Sequence, residues 1–254
     1  VPLANIANRH GRVIADHIAG KKTRYVDAQG TAIVKVFELT VATSGWNEKR
    51  LIAAKRNYLA VHSHPASHAG YFPGAQGMSL KLLVDPTTQK ILGVQGVGKD
   101  GVDKRIDVIA TAMRAGMTAP ELADLELAYA PPFGSAKDPV NMLGYISENA
   151  LSGITPTVQW HEVEAKVAEG FSVLDVRSVG EVDHGTLPGA KNLPIDEIRE
   201  RKEEIPTGKI LVTCQVGQRG HAATRLLREM GYEAVNLDGG YMTWSNSPAC
   251  LTTK

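Results

Sequence analysis

A short loop around Cys214 carries the residue types needed for thiol chemistry. It consists of Cys214, Gln215, Val216, Gly217, Gln218, Arg219 and Gly220. An apolar run at 209–213 precedes it and predicts a buried strand, and the apolar spacing of 222–230 predicts an amphipathic helix after it. A cysteine at a strand tip and a helix N-terminus meets conditions that favour a thiolate over a thiol. Because glycine permits turns that aim N–H groups inward, the two glycines favour a reactive cysteine over a structural one.

The spacing inside this loop narrows the chemistry. Four residues separate Cys214 from Arg219, whereas cysteine phosphatases place five between their cysteine and arginine. We expect the smaller ring of amides to hold one extra sulfur on Cys214, a persulfide, and to disfavour a phosphate. Arg219 is expected to orient or neutralise an anionic donor, and Arg177 and Glu181 to shape the loop from below.

Three further segments make the second half of the chain resemble the rhodanese-type sulfurtransferases. They lie at 172–177, where Asp175 and Arg177 end a predicted strand, at 181–194 and at 235–244. Their order and spacing follow that family over about residues 156–248. One departure is Thr186, where the family usually has histidine, and we expect it to affect the packing of the turn more than the chemistry. The resemblance implies an α/β domain with a central parallel sheet and a catalytic Cys214.

The first half predicts an antiparallel sheet. Strands are expected at 31–42, 58–62, 79–84 and 91–97, with a proline-containing hairpin turn at 85–90. Helices are expected at about 103–116, 118–125 and 141–151. This order predicts an α+β domain with helices on one face of the sheet.

A pair of histidines in this half invites comparison with a metal site. His62 and His64 alternate in a predicted strand and should therefore face the same way. The zinc isopeptidases, which share the His-Ser-His-Pro run, have a serine and an aspartate where this chain has Pro73 and Gln76, so the third protein ligand is missing. Two ligands do not make a zinc site, so we predict no metal.

The first half resembles the dimerisation domain of the coenzyme A-disulfide reductases. The resemblance rests on residues 61–74, 93–98 with 103–107, and 127–141, and residues 1–20 are similar to the last helix of that family's flavin domain. It implies a homodimer in which Tyr71 and Tyr129 reach the partner subunit's active site as proton donors. The alternative is that both tyrosines simply pack at a surface. The resemblance also implies contacts with FAD in the parent protein, from Leu3, Ala4, Ala7 and Phe133.

The reducing machinery of that family is not found in this sequence. No Gly-x-Gly-x-x-Gly run opens a βαβ unit, and there is no flavin-proximal cysteine, so we expect no cofactor on this chain alone, and FAD, NAD(P)H and coenzyme A only in the intact parent. We therefore interpret the chain as the C-terminal half of a reductase with a fused rhodanese domain. The expected divisions are 1–20 for the flavin-domain helix, 21–150 for the dimerisation domain, 151–156 for a linker and 157–254 for the rhodanese-like domain.

The amino-acid composition is typical of a soluble globular protein. The 254 residues carry a net charge of +1, which suggests neither nucleic-acid nor membrane binding. The two cysteines, Cys214 and Cys250, exclude a disulfide framework and predict a reducing, cytoplasmic setting. Cys250 is expected to be a dispensable tail residue, although it could resolve a Cys214 persulfide as a disulfide.

Two functions follow from these observations. The first is sulfur transfer through Cys214 as part of a disulfide, persulfide or polysulfide reductase. The second is a non-catalytic module that dimerises through residues 31–135 and delivers substrate.

Overall fold

The computed structural model describes residues 3–252 and contains two five-stranded sheets, one after the other along the chain. Helix α1 (Ala4–Ile18) precedes both. We call the sheet of 32–98 with its helices the first unit, and the sheet of 157–237 with its helices the second unit. None of the helices described is long and apolar enough to cross a bilayer.

The first unit is an antiparallel sheet with strand order β1-β2-β5-β4-β3. Its elements are β1 (Ala32–Val36), β2 (Leu39–Gly45), α2 (Glu48–Ala53), β3 (Leu59–Ser63), β4 (Met78–Val84), β5 (Ile91–Gly98), α3 (Val102–Ala115), a 3-10 helix (Pro120–Asp124) and α4 (Pro139–Leu151). The hairpin predicted at 85–90 joins β4 to β5, and the Asp85 carboxylate caps it by accepting from the amides of Thr87 and Thr88.

The prediction of one strand over 31–42 is wrong, because the chain turns back in its middle. Val36 pairs with Leu39, so Phe37 and Glu38 form a two-residue turn between β1 and β2. Phe37 adopts φ 52°, a left-handed conformation that allows such a tight reversal. Because apolar and polar residues continue to alternate across this turn, the sequence pattern does not reveal it.

The predicted stacking of helices on one face is confirmed for the two long helices. Leu82 and Val94 of the sheet pack against Ile106 and Ile109 of α3, and Leu143 of α4 joins the same core. The short α2 lies on the opposite face, where its Leu51 packs with Ala60, Leu83 and Leu92. Because neighbouring strand residues face opposite ways, Leu82 and Leu83 enter different cores.

The second unit is a parallel sheet with strand order β6-β10-β9-β7-β8, as expected. Its elements are β6 (Thr157–Val158), α5 (Val163–Ala168), β7 (Phe171–Asp175), α6 (Val179–Val182), β8 (Lys191–Asn192), β9 (Lys209–Thr213), α7 (Gln218–Glu229), β10 (Glu233–Leu237), α8 (Gly240–Ser245) and α9 (Pro248–Thr252). Three 3-10 helices, Trp160–Glu162, Ile195–Glu197 and Lys202–Glu204, complete it. Strand β9 lies at its centre and aims the following loop at the carboxyl edge, where ligands of such sheets bind.

Candidate active site

Cys214 directly follows β9 and is completely buried, at 0% exposure. Its side chain packs with the apolar core that includes Leu174 and Val212. It is not sealed among hydrocarbon alone, because the Gly217 amide donates a hydrogen bond to Sγ at 3.2 Å. A backbone donor at this distance stabilises negative charge on sulfur.

The other amides of the loop, the residues 214–220, are unoccupied by protein acceptors. Among the described residues, the N–H groups of Gln215, Val216 and 218–220 donate no hydrogen bond. Helix α7 begins at Gln218, four residues earlier than predicted, so three of these amides belong to its first turn. The loop thus presents free donors at a helix N-terminus next to a cysteine.

Two glycines make this compact loop possible. Gly217 has φ 90°, which other residues rarely adopt, and it precedes α7. A Cβ on Gly220 would lie 2.2 Å from Asn236 Oδ1 and 3.7 Å from Cys214 Sγ. Asn236 in turn donates from Nδ2 to the Gly217 carbonyl at 3.1 Å. Asn236 therefore braces the loop from β10, and only glycine at position 220 leaves room for it.

Arg219 forms a two-pronged ion pair with Glu181. Its Nη1 donates to Oε2 at 2.8 Å and its Nη2 to Oε1 at 2.5 Å. Glu181 also accepts from the amide and hydroxyl of Ser178 at the start of α6. The Arg219 hydrogen bonds, with smaller help from Ser178, lower the pKa of Glu181 to about 2. Arg219 was expected to face an anionic donor, but its charge already has a partner.

Arg177 connects the loop to the floor of the sheet. It is buried against Asp175, to which it donates from Nε and Nη2 at 2.7–3.1 Å. Its Nη1 donates to Gln215 Oε1 at 3.0 Å, and its guanidinium lies 4.3 Å from the centre of the Tyr241 ring. Paired and hydrogen-bonded in this way, the buried charges are tolerated and fix the position of Gln215.

Thr186 belongs to the same network, a contact that the expected effect on turn packing did not include. Its hydroxyl donates to Asp175 Oδ2 at 2.7 Å. The buried Asp175 carboxylate therefore receives the Thr186 hydroxyl as well as the Arg177 guanidinium. The sequence pattern concealed this contact because position 186 is remote from Asp175 along the chain.

The turn between β10 and α8 supports the loop from its other side. The amides of Tyr241 and Met242 donate to the carbonyls of Cys214 and Gln215 at 2.8 and 2.9 Å. Gly240 has φ 62°, and a Cβ there would lie 2.4 Å from the Cys214 carbonyl oxygen. The turn thus lies directly against the backbone of the loop.

The two histidines of the first unit reach this turn. His62 Nδ1 donates to Asp238 Oδ2 at 2.6 Å, and His64 Nε2 lies 2.7 Å from Thr243 Oγ1. His64 lies one residue beyond β3, which ends at Ser63, and both imidazoles contact residues of the second unit, Asp238 and Thr243. Burial, with some help from the charge of His62, lowers the pKa of His64 to about 4, so its imidazole is neutral near pH 7. Sequence analysis missed the contacts that His62 and His64 make with the second unit. Within the described residues, no three His, Cys, Asp or Glu side chains cluster as a metal site.

A cavity of about 610 Å³ lies between the two units beside the loop. Its walls include His64 and α4 residues Met142 and Tyr145 from the first unit, and Val216 and Gly217 from the second. The loop therefore borders a cleft that both units build.

The remaining predicted site residues lie away from Cys214 in the sequence, and within the part of the chain that the structure describes they make no hydrogen bond with its loop. The hydroxyls of Tyr71 and Tyr129 lie 3.3 Å apart, and both side chains are exposed. This hydrogen bond raises the pKa of Tyr129. The structure thus brings the two predicted tyrosines together at the surface.

The four residues expected to touch a flavin offer apolar side chains only. Ala4 and Ala7 are exposed on α1, Leu3 is half-buried, and Phe133 is 69% exposed. None of these side chains can donate to or accept from a flavin, so they do not by themselves fit a flavin site. Cys250, in α9, is half-buried and packs against the core around Trp244.

Known proteins match this chain in two parts. Residues 31–139 match the family described as pyridine nucleotide-disulphide oxidoreductase, dimerisation domain. Residues 159–247 match the rhodanese-like domain family. The coenzyme A disulfide reductase of Staphylococcus haemolyticus is 42% identical over 146 residues, which make up 57% of this chain and 33% of that protein.

Two solved structures resemble nearly the whole chain. The reduced CoADR-RHD of Bacillus anthracis has a TM-score of 0.94 and 48% identity, and the match covers 96% of this chain and 44% of that one. The NAD-dependent persulfide reductase of A. fulgidus has a TM-score of 0.86 and 38% identity, with the same coverage. The chain spans about a third of the length of the curated relatives it matches.

Proposed function

We propose that this chain, which joins a dimerisation domain of the pyridine nucleotide-disulphide oxidoreductases to a rhodanese-like domain, is a sulfurtransferase that forms a persulfide on Cys214. One observation carries the proposal: the Gly217 amide lies 3.2 Å from Sγ, and the loop amides around it have no protein acceptor among the residues that the structure describes. Such an arrangement stabilises an anionic sulfur. The rhodanese-like match supports the same reaction class.

In the proposed reaction, the Cys214 thiolate attacks the outer sulfur of thiosulfate or of a persulfide. A new S–S bond forms at Cys214, the donor's own S–S bond breaks, and sulfite or the donor thiolate leaves with the electron pair. An acceptor thiolate then attacks the outer sulfur of the Cys214 persulfide and restores the Cys214 thiolate. Electrons and atoms balance without a further oxidant or reductant.

The proposed roles of the neighbouring residues follow from their contacts. The amides of 215–220 would hold the outer sulfur, and Gly217 and Gly220 allow the loop to close around it. Arg177 and Asp175 hold Gln215 from below. Arg219 and Glu181 form a charged pair beside the loop that an anionic donor could open.

In the intact parent we propose a reducing partner for this sulfur transfer. The relatives named coenzyme A disulfide reductase and NAD-dependent persulfide reductase support a flavoprotein reductase with NAD(P)H and coenzyme A as co-substrates. Since the apolar side chains of Leu3, Ala4, Ala7 and Phe133 cannot complete a flavin site, flavin-binding residues would come from outside this chain. We place the parent in a reducing, cytoplasmic setting and propose the domain divisions at 20, 150 and 156.

Assembly into a homodimer is the second part of the proposal. The match to a dimerisation domain supports it, as does the edge hairpin of the first sheet, where Ile33, Val34 and Phe37 are 58%, 55% and 95% exposed. Large exposed apolar side chains on an edge hairpin are typical of a contact surface. In this dimer Tyr71 and Tyr129 would serve the partner subunit as proton donors. A strict monomer by light scattering at micromolar concentration would contradict the assembly.

Mass spectrometry tests the sulfur transfer. After incubation with thiosulfate or polysulfide, the peptide that contains Cys214 should gain the mass of one sulfur, and a thiol should remove it. Cys214→Ser should abolish the gain, whereas Cys250→Ser should retain it. Sulfur transfer that persists in Cys214→Ser would refute the proposal, and transfer lost in Cys250→Ser would assign the second cysteine a role.

A further inference from the structure

We propose that His62 of the first unit is a positioning residue for the Cys214 loop, acting through Asp238 and the Gly239–Gly240 turn. This inference rests on the proposed sulfur transfer and deepens it, because it makes the reaction depend on contact between the two units. Three sets of contacts carry it.

The first set joins His62 to Asp238. The His62 backbone N–H donates to both carboxylate oxygens at 3.2 and 3.1 Å, and Nδ1 donates to Oδ2 at 2.6 Å. Gln159 Nε2 adds a donor to the same Oδ2 at 3.2 Å and also donates to the carbonyl of Ala60 in β3. Since Asp238 is only 3% exposed, its carboxylate depends on these donors in place of water.

The second set joins His62 to the turn by direct contact. Gly239 has φ 66°, and a Cβ there would lie 2.8 Å from His62 Cβ. A Cβ on the adjacent Gly240 would lie 2.8 Å from the Gly217 nitrogen. The turn is therefore packed between His62 on one side and the amide that contacts Cys214 Sγ on the other.

The third set fixes the helix that follows the turn. His64 bridges Ser79 Oγ at 2.9 Å and Thr243 Oγ1 at 2.7 Å, so α8 is held to β4 of the first unit. The first two residues after Gly240 donate their amides to the carbonyls of Cys214 and Gln215. A shift of α8 would therefore move the loop backbone.

The expected effect on persulfide formation follows from the short range over which the loop amides act. Amides stabilise a developing sulfur anion only when they are held in place before the reaction. Loss of the His62 imidazole leaves Asp238 without its shortest hydrogen bond and lets the turn move away from the loop. The rate of persulfide formation should fall, whereas the binding of the donor should not change.

The test compares His62→Ala and His62→Asn in the full chain. Asparagine keeps a side-chain N–H at the same position along the side chain as Nδ1. We expect His62→Ala to lower the maximal rate of persulfide formation from thiosulfate by about twofold to thirtyfold, the range for coupling through a packed element. The thiosulfate concentration at half-maximal rate should not change, and His62→Asn should recover most of the rate. His161→Ala, at an exposed imidazole of the second unit, is the matched control and should match wild type.

Amide hydrogen exchange supplies a second readout, which does not require turnover. Exchange in the peptide of residues 214–220 should be faster in His62→Ala and in Asp238→Asn than in wild type. Equal rates and equal exchange in wild type and His62→Ala would overturn the inference. A loss of rate that His62→Asn does not recover, or that follows only the melting temperature, would also overturn it. If wild type itself gains no sulfur, the proposed function fails. If wild type gains sulfur and His62→Ala behaves like it in both readouts, only the role of His62 fails.

Discussion

The guanidinium of Arg219 and the carboxylate of Glu181 meet through two hydrogen bonds beside the Cys214 loop. Side chains of both residues remain about one third exposed, at 38% and 34%. The pair is therefore accessible to an anion from solvent, and an anionic donor that approached Arg219 would compete with Glu181 for it. This competition gives the first two predictions.

Glu181→Gln should tighten the apparent binding of thiosulfate. Glutamine keeps an oxygen for the Ser178 amide but removes the negative charge that occupies Arg219. The thiosulfate concentration at half-maximal rate should fall by about twofold to fivefold, the scale of a partly exposed ion pair. Steady-state kinetics at low and high salt measures this concentration, and its difference between Glu181→Gln and wild type should become smaller as the salt concentration rises. An unchanged or higher value would show that Arg219 does not contact the donor.

The same pair should make stability depend on acid pH. The pKa of Glu181 is about 2 in the folded chain, against an ordinary value of 4.5. Its contribution is therefore present above the ordinary value and is lost as pH falls from 4.5 towards about 2. In urea unfolding between these pH values, Glu181→Gln should show a shallower loss of stability than wild type. The difference should stay below the one-proton limit of about 1.4 kcal/mol per pH unit, because exposure screens the pair.

A control for the acid experiment is Glu164→Gln, at an exposed carboxylate of α5. Its unfolding curve should run parallel to that of wild type. Parallel curves for Glu181→Gln and wild type would contradict the assignment of a stabilising ion pair to Glu181.

Gly220→Ala should disable the loop. The new Cβ would lie 2.2 Å from Asn236 Oδ1, so Asn236 must give up its hydrogen bond to the Gly217 carbonyl or the loop must move. Overpacking of this kind costs about 1–3 kcal/mol of unfolding free energy. The rate of persulfide formation by Gly220→Ala should also fall, because the loop is displaced. Gly180→Ala is the control, because a Cβ there would meet no atom within 4 Å; equal stability and activity of the two variants would refute the steric argument.

Tyr71→Phe should lower the pKa of Tyr129 towards its ordinary value. The hydrogen bond from Tyr71 is the main cause that raises this pKa, and phenylalanine removes it. Carbon-13 NMR of the tyrosine Cζ atoms during a pH titration resolves Tyr129 from the other tyrosines. Tyr145→Phe, on α4, should leave the Tyr129 titration unchanged. If Tyr71→Phe also leaves it unchanged, the two phenols do not pair in solution.

Local patterns of the sequence were sufficient for most of the second unit. The run at 209–213, the loop and the helix after it follow from apolar spacing and glycine positions, and the structure confirms each of them. The parallel sheet was implied by the resemblance, whereas its strand order was not predicted. The hydrogen bonds to the Asp175 carboxylate could not be predicted, because the contact of Thr186 with Asp175 joins residues that only the folded chain brings together.

Other features could not be predicted because they depend on contacts across the molecule. A turn at Phe37 leaves no sign in an alternating pattern, since a two-residue turn preserves the alternation. The partners of His62 and His64 lie 176 and 179 residues away along the chain, in the second unit. The expectation that Arg219 waits for a donor overlooked Glu181, whose position is set by the start of α6.

The burial of Asp238 bears on any attempt to transplant the second unit into another protein. Cutting the chain at 151–156 would remove the imidazole and the backbone amide of His62 and leave the Gln159 side chain as the remaining one of these donors to Asp238. We expect a graft made in this way to need a substitute histidine on the new host before it recovers full turnover. Transfer of the second unit to another protein is thus constrained by one carboxylate that lies outside the 214–220 loop.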